Sequence, residues 1–376
     1  MRNRSSHKLA RSLALLVVLA ANCISQVSNA HGREPQPDLR TNGSVAISVL
    51  SLFHPEKIIV TALAGHALVL VAGEQSLILE DSQVSSARVR IEGAELVISS
   101  GEQELRATNL IGVGRRNDSE DFILEIPGKI KRRYHGTLAV KSSFGNLLAV
   151  VTLDLETAVA SAVAAESAPN TPLEALKANA IAARSYFVAG RGRHQSFDFC
   201  DTTHCQFLRA PPPPTSLASQ AVQATQGLVL MYQSRPFAAL YTRSCSGRTR
   251  TPAQLSLPSA GYPYYSVDCE RCRQHPVRWS SNLSIGDAGS LRPSDEGTRL
   301  AVARRLGWSA VPSNQFSLAR QGDHLRLAGV GNGHGIGLCQ AGAKAMAESG
   351  ASFQQILQHY YPNTEIVQYP GRNPVD

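Results

Sequence analysis

Residues 171–190 have the sequence TPLEALKANAIAARSYFVAG. Thr171, Pro172 and Glu174 form a typical helix start, with a capping hydroxyl, a proline at the first helical position and a glutamate at the third. Gly190 is a residue suited to closing a helix. The stretch therefore predicts a well-capped helix that ends at Gly190.

Two basic side chains project onto the apolar side of this predicted helix. Lys177 and Arg184 are seven residues apart and share that side with the stripe of Leu173, Leu176, Ala180 and Phe187. Burying an unpaired charge costs several kcal/mol, so we expect these cations either to pair with carboxylates or to line a cleft for an acidic ligand. A simpler alternative places them at the edge of the stripe with their charged ends in solvent.

Another helix is predicted just before this one, over residues 155–166, and its last residue carries a carboxylate. In residues 155–166, LETAVASAVAAE, the side chains of Val159, Val163 and Glu166 fall on one face at i, i+4 and i+7. Glu166 thus ends an apolar stripe, an environment that favours a protonated carboxylic acid.

Short apolar runs separated by turn residues fill residues 45–154, a pattern typical of many short strands. Together with the helices that follow, they predict an α+β fold. We expect a β-rich region over residues 31–130 and a mixed α/β domain over 131–376, with a capped helix and a metal-braced loop.

The first thirty residues have the features of a secretory signal: a basic start, a short apolar run and the small-residue ending Ser28-Asn29-Ala30. Cleavage after Ala30 is preferred over lipoprotein processing at Cys23, because Asn22 is bulkier than the usual residue there. Removal of Arg2, Arg4, Lys8 and Arg11 halves the net charge of +8, so nothing requires a nucleic-acid partner. We expect an exported protein of the periplasm or cell envelope, with no membrane span after cleavage.

Four nitrogen and sulfur ligands lie within twelve residues: His194, Cys200, His204 and Cys205. This set matches a closed tetrahedral zinc site and predicts one structural Zn²⁺ per chain. A disulfide between Cys200 and Cys205 is the alternative.

The remaining cysteines favour different chemistry. In an oxidising compartment we expect Cys245 to form a disulfide with Cys269 or Cys272, and Cys339 to be a free buried thiol.

Five glycines surround His334 in residues 329–340, GVGNGHGIGLCQ, just before a predicted helix over 341–349. The spacing does not match a dinucleotide-binding fingerprint. We expect a tight loop whose glycines let the backbone approach a ligand and present His334 and Gln340 to it.

These segments together resemble the stage II sporulation protein D family, also called SpoIID or LytB amidase-enhancer proteins. The resemblance covers roughly residues 131–361. It rests on Glu166, PLEALKANAIAARSY (172–186), CDTTHCQ (200–206), LYTRSCSGRT (240–249), YYSVDCERC (264–272) and GNGHGIGLCQAGA (331–343). Glu166-Ser167-Ala168-Pro169 departs from the family's Glu-Met-Pro by a one-residue shift of the proline.

The resemblance implies a peptidoglycan lytic transglycosylase that cleaves glycan strands stripped of their stem peptides and leaves 1,6-anhydro-muramic ends. It implies Glu166 as the catalytic acid and the four His/Cys residues as zinc ligands. The substrate-binding residues would be Lys177, Arg184, Tyr241, Ser244, His334 and Gln340. The alternative is a non-catalytic glycan-binding enhancer of a cell-wall amidase, and either protein would work alongside such an amidase.

Overall fold

The computed structural model describes residues 43–80, 85–202, 205, 209–258 and 261–369. The predicted signal sequence and the predicted ligand His204 lie outside these residues. Within the described part of the chain, no helix combines the length and apolar character needed to cross a membrane.

Eleven consecutive strands and one short later strand form a single, mainly antiparallel sheet that curls into a near-closed barrel. Its strand order is β12-β1-β11-β10-β9-β2-β5-β6-β7, with β8 joining β10 to β3 and β3 pairing with β4. The strands are β1 Ser44–Val49, β2 Lys57–Ala62, β3 Leu68–Ala72, β4 Gln75–Leu79, β5 Ser86–Glu92, β6 Glu95–Ser100, β7 Gln103–Ala107, β8 Asn109–Gly114, β9 Glu120–Ile126, β10 Ile130–Ser143, β11 Asn146–Asp154 and β12 Phe199–Cys200.

Alternation of buried and accessible residues creates the barrel core. In β2, Ile58 and Val60 are fully buried while Ile59 between them is partly accessible. The same period of two recurs along β10. The long strand β10 pairs with β11, β8 and β9, so the sheet continues to Asp154 and the predicted boundary at residue 130 lies within this sheet.

Helix α2 (Leu173–Ala189) follows α1 (Leu155–Glu166) and packs into two hydrophobic cores. Leu176, Ala180 and Phe187 face the core shared with the barrel. Ala178 and Ile181 face a second core further along the chain. A helix with apolar residues on two sides belongs in the interior, and the many alanines of α2 allow close approach on both of them.

The start of α2 differs from the predicted capping box. Pro172 is the residue before the first helical turn, and no side chain caps it. Thr171 instead donates its hydroxyl to the carbonyl of Ala168 at 2.7 Å, and Glu174 accepts the Phe353 backbone N–H at 2.8 Å. Gly190 ends the helix as predicted.

The remaining elements surround the second core and form a small lobe. The exception is α3 Leu217–Ala224, whose buried residues belong to the core shared with the barrel. The elements at the second core are β13 Leu228–Tyr232, β14 Arg235–Pro236, β15 Tyr241–Thr242, α4 Glu270–Gln274, β19 Leu338–Cys339, α7 Gln340–Glu348, α8 Phe353–Tyr360 and β20 Glu365–Gln368. The lobe contains β16 Arg278–Ser284, α5 Ile285–Ala288, α6 Glu296–Leu306, β17 Phe316–Gln321 and β18 His324–Val330. This arrangement confirms the α+β class.

Candidate functional site

A cleft of about 400 Å³ lies between the loop that follows α1 and the start of α7. Ser167 and Thr171 line it from the loop, Ser244 from the segment after β15, and Gln340 from the first turn of α7. Wider grooves lie beside His66 on the barrel and beside Trp279 in the small lobe. Of these three depressions, only the cleft is lined by residues from several of the segments that the sequence analysis identified as functional.

Glu166 is the last residue of α1 and immediately precedes Ser167 in the cleft wall. Asp154 caps the opposite end of the helix by accepting the backbone N–H groups of Glu156 and Thr157. Val159 and Val163 are buried, whereas Glu166 is half-buried. The predicted helix and its apolar stripe are confirmed. Glu166 itself is not among the residues that line the cleft, and its backbone adjoins the lining at Ser167.

Arg184 does not face this cleft, which contradicts the substrate-binding role implied for it, and it has a carboxylate partner, the other expected arrangement. Its side chain is fully buried and forms a two-point ion pair with Glu156, at 2.8 Å from Nε to Oε1 and 2.6 Å from Nη2 to Oε2. Nη1 donates to the Leu228 carbonyl at 3.0 Å. The guanidinium therefore holds α1, α2 and β13 together and is withheld from ligands.

Lys177 also has an internal partner. Its ammonium lies 2.7 Å from Glu174 Oε1 and 5.8 Å from the ring centre of Phe353. The hydrogen bond from Lys177 lowers the pKa of Glu174, against a smaller opposing effect of burial. Lys177 is not among the residues that line the cleft.

Three other basic residues line the cleft: Arg243, Arg271 and Lys344. Arg243 and Arg271 are exposed, and within the described residues neither guanidinium has a hydrogen-bond or ion-pair partner. Lys344 donates to the Pro169 carbonyl at 3.2 Å. They come from three distant segments, so no periodicity in the sequence could have grouped them.

The cleft also contains a second carboxylate that sequence analysis missed. Glu348 lines the cleft, is exposed and lies 3.9 Å from Lys344 Nζ. It is four residues beyond Lys344 on α7, on the same helical face. Any test of Glu166 must therefore include this residue.

Two amide side chains in the cleft wall each have one polar atom without a partner among the described residues. Asn179 is 3% exposed, and its Oδ1 is buried with no hydrogen-bond partner among the described residues. The buried Nε2 of Gln340 is in the same situation. Unpaired buried polar atoms cost stability, and both residues line a cleft, so they offer an acceptor and a donor to a polar ligand.

The glycine-rich loop packs against protein, which corrects the expected close approach to a ligand. Gly337 has φ 69°, and a Cβ atom there would lie 1.9 Å from the Leu240 carbonyl oxygen. A Cβ atom on Gly333 would lie 2.4 Å from Thr242 Oγ1. These glycines let β19 pair in parallel with β15, which brings Gln340 and Ser244 to one wall.

His334 lies away from the lining of the cleft. Its Nδ1 accepts the Ile336 backbone N–H at 3.0 Å. Burial lowers the pKa of His334, against an opposing effect of the Glu296 carboxylate. Burial is the largest single effect on Glu296 and raises its pKa, but the hydrogen bonds and charge of Arg299, with His334 and Asn314, together lower the pKa below its usual value.

The other two predicted substrate-binding residues have different positions. Ser244 lines the cleft, is 4% exposed, and its Oγ lies 3.4 Å from Cys272 Sγ. Tyr241 lies in β15, half-buried, outside the lining.

The three predicted zinc ligands that the structure describes lie close together. One ligand atom from each of His194, Cys200 and Cys205 lies within 4.8 Å of the others, with His194 Nε2 at 3.3 Å from Cys205 Sγ. Cys200 belongs to β12, which pairs in parallel with β1. An imidazole and two thiols are donors that suit Zn²⁺.

A second cluster could also hold a metal ion. The sulfur atoms of Cys245, Cys269, Cys272 and Cys339 lie within 4.8 Å of one another, and all four residues are buried. Within the described residues, none of the six cysteines forms a disulfide. The predicted disulfide from Cys245 is therefore absent from this structure, and Cys339 is free and buried but joins the cluster.

Comparison with known proteins assigns the family. Residues 143–232 match the SpoIID family, described as stage II sporulation protein. Stage II sporulation protein D of Bacillus subtilis is 26% identical over 58% of this chain and 75% of its own length. An uncharacterized protein of Brachyspira hyodysenteriae is 26% identical over 63% of this chain and 73% of its own length. The Bacillus subtilis amidase enhancer is 39% identical over 17% of this chain and 9% of its own length. Residues 143–232 thus form a SpoIID-family segment, and the chain is a distant homologue of proteins named stage II sporulation protein D and amidase enhancer.

Proposed function

We propose that the protein is an exported lytic transglycosylase that cleaves peptidoglycan strands lacking stem peptides and leaves 1,6-anhydro-muramic ends. The export part of the proposal rests on the sequence of residues 1–30. The catalytic part rests on one juxtaposition: Glu166 ends a helix at the edge of a polar, cation-lined cleft.

Glu166 is assigned two successive proton transfers. As an acid it donates its proton to the glycosidic oxygen, so that the bond from the muramic C1 breaks and the next sugar leaves as an alcohol. As a base it then takes the proton of the muramic C6 hydroxyl while that oxygen bonds to C1. One carboxyl group suffices because the intramolecular hydroxyl replaces the water of an ordinary hydrolysis.

The cations of the cleft account for the preference for peptide-free strands. A muramic residue without its peptide carries a free lactyl carboxylate, whereas the peptide-bearing residue has an uncharged amide at that position. Arg243, Arg271 and Lys344 supply the positive charge for this carboxylate. Asn179 Oδ1 and Gln340 Nε2 are suited to the N-acetyl and hydroxyl groups of the sugars.

The proposal assigns one zinc ion to His194, Cys200, His204 and Cys205. The three described residues of this set offer nitrogen and sulfur donors close together. A site closed by four protein ligands leaves no position for substrate, so the ion would brace the loop and take no part in the proton transfers.

A non-catalytic role as an amidase enhancer is the second candidate, favoured by the identity shared with the Bacillus subtilis amidase enhancer. Both candidates use the same cleft and both imply an amidase as functional partner. An enzyme needs a proton donor at Glu166, whereas a glycan-binding protein does not.

Mass spectrometry of peptide-free glycan strands incubated with pure protein separates the two. We expect anhydro-ended fragments from the wild type and none from Glu166→Gln, since proton transfer contributes about 10²–10⁴ in rate. Wild-type protein that binds the strands and releases no fragments would favour the enhancer.

A further inference from the structure

Four cysteines from three separate segments converge in the second core. Cys245 follows β15, Cys269 and Cys272 lie at the start of α4, and Cys339 ends β19. Each is at most 2% exposed. Their sulfur atoms lie within 4.8 Å of one another.

The spacing of these sulfur atoms suits a single metal ion. Cys272 Sγ and Cys339 Sγ are 3.5 Å apart, far beyond the disulfide bond length of about 2.05 Å. Four thiolates around zinc at about 2.3 Å form a tetrahedron with edges of about 3.8 Å. An iron–sulfur cluster needs its cysteine sulfurs further apart, because several metal ions lie between them.

Hydrogen-bond donors surround the sulfur atoms. The Cys245 backbone N–H donates to Cys339 Sγ at 3.3 Å, and the Tyr360 hydroxyl donates to Cys269 Sγ at 3.5 Å. The Ser244 hydroxyl lies 3.4 Å from Cys272 Sγ. Such donors stabilise the negative charge of metal-bound thiolates.

A glycine in the surrounding core leaves space for the sulfur atoms. A Cβ atom on Gly342 would lie 2.6 Å from Cys269 Sγ and 2.0 Å from Tyr360 Oη. The glycine thus lets the first turn of α7 pass directly over the sulfur atoms. Gly342 follows Cys339 by three residues, so one short segment supplies both a ligand and this clearance.

We propose that Cys245, Cys269, Cys272 and Cys339 bind one Zn²⁺ in a closed tetrahedral site, separate from the His194 cluster. Cys245 adjoins Ser244 and Cys339 adjoins Gln340, and both neighbours line the cleft. The ion cross-links the segments that form this wall and fixes their relative positions. Its function is structural, and the proposal does not depend on the transglycosylase activity.

Metal and thiol analysis of the wild-type protein tests the site directly. The full chain is exported, purified without reductant or added metal, and measured for zinc by elemental analysis. Alkylation under denaturing conditions with a chelator counts the free thiols by mass. We expect zinc together with reduced Cys245, Cys269, Cys272 and Cys339. Disulfides among these four residues, or iron in place of zinc, would overturn the proposal.

The paired variants Cys200→Ser/Cys205→Ser and Cys269→Ser/Cys272→Ser separate the two clusters. We expect the first to retain one zinc whose X-ray absorption shows four sulfur neighbours at about 2.3 Å. The second should lose that ion, seen as a drop of one zinc per chain. A first variant that keeps no zinc, or one whose zinc has nitrogen ligands, would refute the site even if the second variant fails to fold. Neither readout depends on glycan cleavage, so a catalytically inactive protein leaves the test intact.

Discussion

Arg184 and Glu156 form a two-point ion pair across the contact between α2 and α1. The arginine side chain is inaccessible to solvent, and the glutamate side chain is 26% exposed. Glu156 also accepts the Gly227 backbone N–H at 3.3 Å. A single carboxylate thus links the start of α1, the centre of α2 and the turn before β13, which positions the helix that ends at Glu166.

Arg184→Ala should destabilise the protein by about 3 kcal/mol or more, because removing one partner of a buried pair leaves the other uncompensated. The measurement is urea unfolding followed by circular dichroism. Lys177→Ala on the same helix is the matched control. Its pair with Glu174 is more accessible, so we expect a loss of no more than about 1 kcal/mol. Equal losses in the two variants would contradict the structural role of Arg184.

Regular periodicity and composition predicted the backbone of this fold well. The strands of residues 45–154, the bounds of α1 and the end of α2 at Gly190 follow from local patterns. The partner of Arg184 could not be predicted from such patterns. A helical wheel identifies the side on which a residue lies, but α2 is buried on two sides, and Glu156 is 28 residues away in sequence.

The candidate site was only partly predictable for the same physical reason. Ser244 and Gln340 line the cleft as the family resemblance implied, whereas Arg243, Arg271, Lys344 and Glu348 meet there through tertiary packing. The four-cysteine cluster had one local signal, the Cys269-x-x-Cys272 spacing that often forms half of a zinc site. Cys245 and Cys339 are 94 residues apart, and their meeting depends on the pairing of β15 with β19.

Stability should fall on acidification through the titration of His334. Burial lowers its pKa in the folded protein, so below the unfolded value of about 6.5 the unfolded chain binds more protons. This contribution is complete above that pH and is lost as the pH decreases toward the folded pKa. Urea midpoints measured between pH 7.5 and 5 should show a weaker decline in His334→Gln than in the wild type. The exposed His324→Gln is the control, and a decline unchanged by His334→Gln would contradict the assignment.

Glu348→Gln should leave glycan cleavage within a few-fold of the wild type. Glu348 lines the cleft, but an internal hydroxyl replaces the water that a second carboxylate would activate. Rates of anhydro-fragment release from Glu348→Gln and Glu166→Gln under identical conditions provide the comparison. Loss of activity in both variants, with hydrolysed ends formed by the wild type, would indicate a two-carboxylate hydrolase.

Arg243→Ala should weaken binding of peptide-free glycan about tenfold, because a hydrogen bond to a charged group contributes about 1.5 kcal/mol or more. Neutral chitin oligosaccharides lack the lactyl carboxylate, so we expect their affinity to change much less. Calorimetric titration of both ligands measures the difference. Arg248→Ala is the matched control: Arg248 is exposed, faces Asp268 at 3.8 Å and does not line the cleft. If Arg243→Ala weakens both ligands equally, or if Arg248→Ala has the same effect, carboxylate recognition by the cleft cations is excluded.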